Sequence, residues 1–200
     1  PQKKSGSPAG PSGHLTSFKS GLDMLVQRLE SRMKSVVRKG RQAVWIRRSE
    51  TGWEAGDQTG LTVQARNLVV ACPTHSAASL VKDFDPELSA AFAAIPYAPI
   101  IVVATGHKRE DILNPLDGFG FVIPRNQGLR TLGSIWTSSI FFERAPEGFV
   151  QLRSMLGGDG DHSVLELSDE QLWETLRKEL DPLIGIKNDP AFIRIFRWEH

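Results

Sequence analysis

The short connections between strand-like segments in the second half of the chain constrain its fold more than any other feature. Strand-like segments lie at Gly118–Pro124, Leu132–Ser138 and Phe149–Leu156, after a continuous apolar run, "IIVVATG". Such a run is typical of a strand that is covered on both faces. Several connections are too short for the helical crossover that parallel strands need. We therefore predict a mixed or antiparallel sheet of about five strands, whose last strand covers Phe192–Trp198.

One helix is predicted to pack on this sheet. Ser168, followed three residues later by Gln171, forms a capping-box sequence that marks the beginning of a helix. Leu172, Leu176 and Leu180 then recur at helical spacing, so they would form its buried stripe.

The first half of the chain predicts a helix, a β-meander, a buried strand and two further helices. Apolar residues at helical spacing indicate a helix from about Gly21 to Met33, with Ser20 as its cap. The segment "SVVRKGRQAVWIRR" is strand-like, and short strands separated by turns follow it. "NLVVACP" reads as a buried strand carrying a buried thiol at Cys72. Helices follow at "THSAASLV" and after Asp85, which would cap the second one.

These elements give an α/β fold class with α+β character, divided near residue 97. Residues 1–13 are rich in Pro, Gly and Ser, which predicts a disordered tail or linker. We expect a first, partial domain over residues 14–96 and a second domain over residues 97–200, truncated at its carboxyl end.

Composition and spacing exclude several classes of function. The formal net charge is +1, which gives no case for a nucleic-acid partner. No apolar run reaches the roughly 18 residues that a transmembrane helix needs. The five histidines show no metal-binding spacing, so we predict no metal site. No nucleophile elbow surrounds Ser138 or Ser139, and no catalytic residue is assigned.

Two glycines in "LDGFGFVIPR" raise a question about function. Gly118 and Gly120 flank Phe119 at the start of a strand-like segment, where glycine is normally disfavoured. Either the chain bends sharply at this point, or a flat apolar ligand lies close against the backbone.

Several stretches together carry a resemblance to a known family. "HLTSFKSGLDMLVQRL", "NLVVACPTHSAASLV", "LDGFGFVIPR", "LGSIWTSSIFFERAPEG", "RSMLGG" and "FRW" occur in this order over nearly the whole chain. In this combination the chain resembles the central part of the oxygen-dependent protoporphyrinogen oxidase family, within the flavin-containing amine oxidoreductase superfamily.

The resemblance implies an FAD enzyme that dehydrogenates protoporphyrinogen IX, or coproporphyrinogen III in similar bacterial proteins, with dioxygen as the acceptor. The first domain would then be part of an FAD-binding domain and the second would bind substrate. The resemblance also implies a cytoplasmic bacterial protein, and it allows for a homodimer and for peripheral membrane association through a domain outside this chain. Two alternatives stay open: another oxidoreductase of the flavin amine oxidase type, or a non-catalytic tetrapyrrole-binding module.

The same resemblance assigns site residues. Val37 matches a position whose backbone meets the FAD adenine, and Trp198 matches an aromatic position near the flavin ring. Four residues match positions that line the tetrapyrrole cavity: Phe119, Gly120, Val122 and Met155. The resemblance thus implies that Gly118 and Gly120 give a macrocycle room against the strand.

Overall fold

The structure, a computed structural model, describes residues 15–141 and 143–199. The tail predicted over residues 1–13 lies outside this part of the chain. The described residues fall into two units, Leu22–Pro96 and a second unit formed by the residues up to Gly21 and from Tyr97 onward.

The Leu22–Pro96 unit contains the predicted β-meander. Its helices are α1 (Asp23–Arg32), α2 (Thr74–Val81) and α3 (Pro86–Ala93). Its strands β1 (Ala43–Ser49), β2 (Gly52–Asp57) and β3 (Thr62–Ala65) form an antiparallel sheet in the order β1-β2-β3. The predicted cap of α3 is confirmed, because the Asp85 carboxylate accepts a hydrogen bond of 2.9 Å from the Leu88 N–H.

Two local predictions on either side of helix α1 are wrong. Ser20 does not cap α1: the Gly21 N–H donates to the Phe18 carbonyl in a tight turn, and the cap position falls on Leu22. The segment from Ser35 does not continue as a strand, since β1 begins only at Ala43. The chain after α1 instead forms a turn, in which the Val37 N–H donates to the Met33 carbonyl.

The predicted buried strand "NLVVACP" is also not formed. Residues 67–73 pair with no strand in the described part of the chain, so their backbone lacks the ladder that would make them a strand. Val69 is 85% exposed and the Cys72 thiol is exposed rather than buried. Helix α1 likewise buries none of its apolar stripe.

The second unit is built on a five-stranded antiparallel sheet. Its strands are β4 (Ile100–Lys108), β5 (Gly120–Val122), β6 (Thr131–Ile135), β7 (Phe149–Gly157) and β8 (Phe192–Trp198). Their order is β5-β6-β7-β4-β8, with every neighbouring pair antiparallel. Of the predicted mixed or antiparallel sheet, the antiparallel form is therefore confirmed, together with the bounds of its last strand. A short helix α4 (Thr137–Ile140) and a long helix α5 (Asp169–Ile184) complete the unit.

Helix α5 covers one face of this sheet. Ser168 and Gln171 form the predicted capping box at its start. Leu172, Leu176 and Leu180 are fully buried against sheet residues such as Ile101 and Leu152. Burying this stripe removes apolar surface from water and fixes the sheet to its helix.

A buried histidine completes the core on this side. His107 on β4 is buried, and neither ring nitrogen has a hydrogen-bond partner in the described part of the chain. Burial lowers the pKa of His107, and the nearby Asp111 carboxylate opposes that shift only in part. The neutral imidazole therefore packs as a core side chain, 6.0 Å from the ring centre of Trp173.

Candidate functional site

The sheet face opposite α5, here called the open face, carries most of the residues that the sequence assigned to a ligand. Side chains alternate between the two faces of a strand. On β7 the alternate residues Val150, Leu152, Ser154 and Leu156 are buried and face α5. Met155 lies between them on the opposite side and is half-buried, so it belongs to the open face.

Strand pairing places Met155 in a row that crosses the whole sheet. Each residue of this row is directly opposite the next on the neighbouring strand: Val122, Gly133, Met155, Val102 and Phe196. We call it the Met155 row. It is apolar throughout, and it brings Val122 and Met155 onto one surface although 33 positions separate them in the sequence.

A second row runs beside the first. It consists of Gly120, Ile135, Arg153, Ala104 and Arg194 in the same strand order. We call it the arginine row. Two positions along a strand separate the rows, which corresponds to about 7 Å.

Trp198 also lies on the open face. It pairs with Ile100 on β4, two positions along the strand from the Met155 row and on the side away from the arginine row. Its side chain is 61% exposed. A large indole uncovered beside an apolar surface can stack on a flat ring, and the flavin contact assigned to Trp198 stays a prediction.

Gly118 and Gly120, on either side of Phe119, both have close protein neighbours. Gly120 has φ +125°, and a Cβ there would lie 2.0 Å from the Ser134 carbonyl oxygen of β6. A Cβ on Gly118 would lie 3.2 Å from the Trp136 ring. Strand pairing alone therefore requires glycine at position 120, and the macrocycle is not needed to explain it.

Phe119 stands apart from the two rows. It lies one residue before β5 and is half-buried, and its carbonyl accepts a hydrogen bond of 2.9 Å from the Trp136 N–H. Its assignment to the tetrapyrrole cavity stays a prediction, as do those of Gly120, Val122 and Met155.

A cleft of about 600 Å³ opens at the β5 edge of the sheet. Its wall includes Val122, Phe121, Trp136 and Leu129 and is largely apolar. The Phe121 and Trp136 rings meet edge to face with centres 6.5 Å apart. The wall also includes Leu183 and Ile184 of α5, so the cleft lies on the α5 side of the sheet edge and shares only Val122 with the strand residues of the open face. Its volume is of the size that small-molecule sites have.

Val37 belongs to the other unit. It lies in the turn after α1, 39% exposed, with its N–H already bonded to the Met33 carbonyl. A hydrogen bond between the Val37 backbone and adenine would therefore use the Val37 carbonyl oxygen as the acceptor.

An ion pair anchors the glycine-rich loop after β7. The Arg130 guanidinium binds Asp161 at 2.6 Å and 2.7 Å, and it also donates to Ser163. The hydrogen bonds from Arg130 keep the pKa of Asp161 below its ordinary value. Asp161 is thus used within the fold, and the described residues contain no cluster of three side chains that could hold a metal.

Comparison with known proteins gives the family. Residues 5–200 match the family model described as flavin containing amine oxidoreductase. The chain belongs to the flavin-containing amine oxidoreductase family. This confirms the resemblance inferred from the sequence, and it confirms the predicted flavin cofactor at the level of the family.

Two curated members of this amine oxidoreductase family illustrate the likeness. The chain is 30% identical over 195 residues to protoporphyrinogen oxidase 1, chloroplastic, of Arabidopsis thaliana, which covers 91% of this chain and 36% of the relative. It is 27% identical over 187 residues to the coproporphyrinogen III oxidase of Bacillus subtilis, covering 93% of this chain and 39% of that relative. The chain thus spans less than two fifths of the length of each.

Solved structures agree in fold. The cyclohexylamine oxidase of Brevibacterium oxydans superposes with a TM-score of 0.70 at 12% identity, covering 89% of this chain and 38% of that one. In the described residues, no helix combines the length and apolar character needed to cross a membrane.

Sequence reasoning missed several residues of the open face. The most informative are Val102, Phe196, Arg153 and Arg194, which pairing places beside the assigned ones. A signal for Arg153 was present, because it lies two positions before Met155 in a strand and therefore shares its face. Arg194 and Phe196 are related to Trp198 in the same way.

Proposed function

We propose that this chain is the central part of an FAD-dependent oxidase that dehydrogenates a porphyrinogen, either protoporphyrinogen IX or coproporphyrinogen III. The observation that carries the proposal is the open face. Four of the residues assigned from the family, Gly120, Val122, Met155 and Trp198, share this one surface of the sheet. The names of the curated relatives support the same substrate class.

The geometry suits a large flat ring. By strand spacing, the Met155 row extends about 19 Å across the sheet, enough for a tetrapyrrole to lie along it. Gly133 and Ala104 are small residues on this face, so the surface is recessed between the larger side chains. Met155 has a flexible thioether that adapts to an irregular apolar surface.

FAD, when bound, would supply the hydride acceptor. The residues of this chain would orient the substrate and exclude water around it. Trp198 would contact the flavin ring and Val37 the adenine, while Val122 and Met155 would contact the substrate. The further predictions of dioxygen as oxidant, a homodimer and a cytoplasmic location with peripheral membrane association belong to this proposal and rest on the family resemblance.

Anaerobic reduction of the flavin tests the proposal. The intact protein that contains this chain would be purified with FAD and mixed separately with protoporphyrinogen IX, coproporphyrinogen III and putrescine. We expect the flavin absorbance to bleach with at least one porphyrinogen and to persist with putrescine. The porphyrinogen that bleaches the flavin faster is identified as the substrate.

Bleaching by the amine and by neither porphyrinogen would contradict the proposal and favour the amine oxidase alternative. A protein that binds porphyrin but holds no FAD would favour the non-catalytic module.

A further inference from the structure

We propose that Arg153 and Arg194 bind carboxylate groups of the substrate on the open face. The inference rests on the proposed function, since it takes the tetrapyrrole to lie over the Met155 row. It adds the chemistry by which this chain would select a ring that carries acidic side chains.

The first step is the position of the two arginines. Arg153 on β7 and Arg194 on β8 are both directly opposite Ala104 on the central strand β4. Because neighbouring strands lie about 4.8 Å apart, the Cα atoms of Arg153 and Arg194 are about 10 Å apart. Only the methyl group of Ala104 lies between them. Both side chains are exposed.

The second step is the contrast with three other arginines of the same unit. Arg130, Arg177 and Arg197 each form an ion pair of 2.6 Å with an aspartate. Within the described part of the chain, no ion pair is formed by Arg153 or Arg194. The Arg194 guanidinium lies over the Phe196 ring, 5.5 Å from its centre, and so borders the Met155 row.

The third step is the charge of the surrounding surface. By alternation, the strand residues on the open face include Lys108, Arg153 and Arg194, and none of these strand residues is an aspartate or glutamate. Two cations beside an apolar surface without a counter-ion are complementary to a ligand that is apolar in its body and anionic at its rim.

Arginine is suited to this role. Its planar guanidinium binds carboxylates through two parallel hydrogen bonds, which are stronger than bonds between neutral groups. A ring that covers the apolar row would also exclude water from the arginines, and the attraction between opposite charges then increases.

The test compares a dicarboxylate ligand with its uncharged ester. The intact protein with FAD would be titrated with protoporphyrin IX and with protoporphyrin IX dimethyl ester, and binding measured by quenching of porphyrin fluorescence. The variants are Arg153→Gln, Arg194→Gln and the double substitution. Lys178→Gln, which removes one positive charge from the exposed side of α5 on the other face, is the matched control.

We expect each arginine substitution to raise the Kd for protoporphyrin IX about tenfold or more, since each removes charge-assisted hydrogen bonds to a carboxylate. The Kd for the dimethyl ester should not change, and Lys178→Gln should change neither. Flavin content and the unfolding midpoint of each variant establish that the fold is kept.

Two results overturn the inference while the proposed function stands: wild-type protein that binds acid and ester alike, or arginine variants that lose affinity for both ligands equally. Wild-type protein that binds neither porphyrin would overturn the proposed function, and this inference with it.

Discussion

Gly120→Ala is expected to destabilise the second unit strongly. The added Cβ would lie 2.0 Å from the Ser134 carbonyl oxygen, and the neighbour is backbone that cannot rotate away. The positive φ of +125° adds about 1–3 kcal/mol of backbone strain for a residue other than glycine. The free energy of unfolding, measured by urea denaturation of the purified protein, should fall by at least this amount.

Gly160→Ala is the matched control for this prediction. A Cβ at Gly160 meets nothing within 4 Å, so the same chemical change there should alter stability by no more than about 0.5 kcal/mol. If both variants unfold at the urea concentration of the wild type, the close pairing of β5 with β6 is wrong.

Leu176→Ala is expected to destabilise the second unit strongly. Leu176 is fully buried between the helix and the sheet, in the cluster that contains Ile101 and Leu152. Removing a buried leucine side chain loses its transfer free energy and leaves a cavity, which together cost about 2–5 kcal/mol. Thermal or urea unfolding measures the loss.

Leu183→Ala tests whether burial is the cause. Leu183 is on the same helix but is 48% exposed, so its truncation should cost much less than that of Leu176. Equal losses at the two positions would contradict the packing of α5 on the sheet.

Much of the second unit could be predicted from the sequence, because its signals are local. The capping box at Ser168 and the leucine stripe of α5 depend only on spacing within one helix. The antiparallel sheet follows from short connections, and Phe192–Trp198 follows from its β-branched and aromatic residues.

The errors before α1 and after β3 arise where the structure depends on residues outside the predicted element itself. "NLVVACP" has the composition of a buried strand, but composition does not supply a pairing partner. Ser20 is a good cap residue, but the turn closed by Gly21 moves the start of α1 beyond its reach. In both cases the pairing or turn formed by other residues outweighed the intrinsic structural preference of the residues in the segment.

The open face could not be derived from the sequence, because strand register determines it. Val122 reaches Met155 through Gly133, and the pairing of β6 with β7 is shifted between Thr131 and Gly133. A shift of one residue would move every side chain to the other face, and nothing in the sequence marks this one. The family resemblance selected Val122 and Met155, whereas the pairing shows that they share one face of the sheet.

A structure of the intact protein with a bound porphyrin tests the central claim most directly. The ring is expected on the open face, in contact with the Met155 and Val122 side chains at about 4 Å and with its carboxylates directed towards Arg153 and Arg194. A porphyrin bound elsewhere, with the Met155 row free of ligand, would contradict the assignment of this sheet to the substrate.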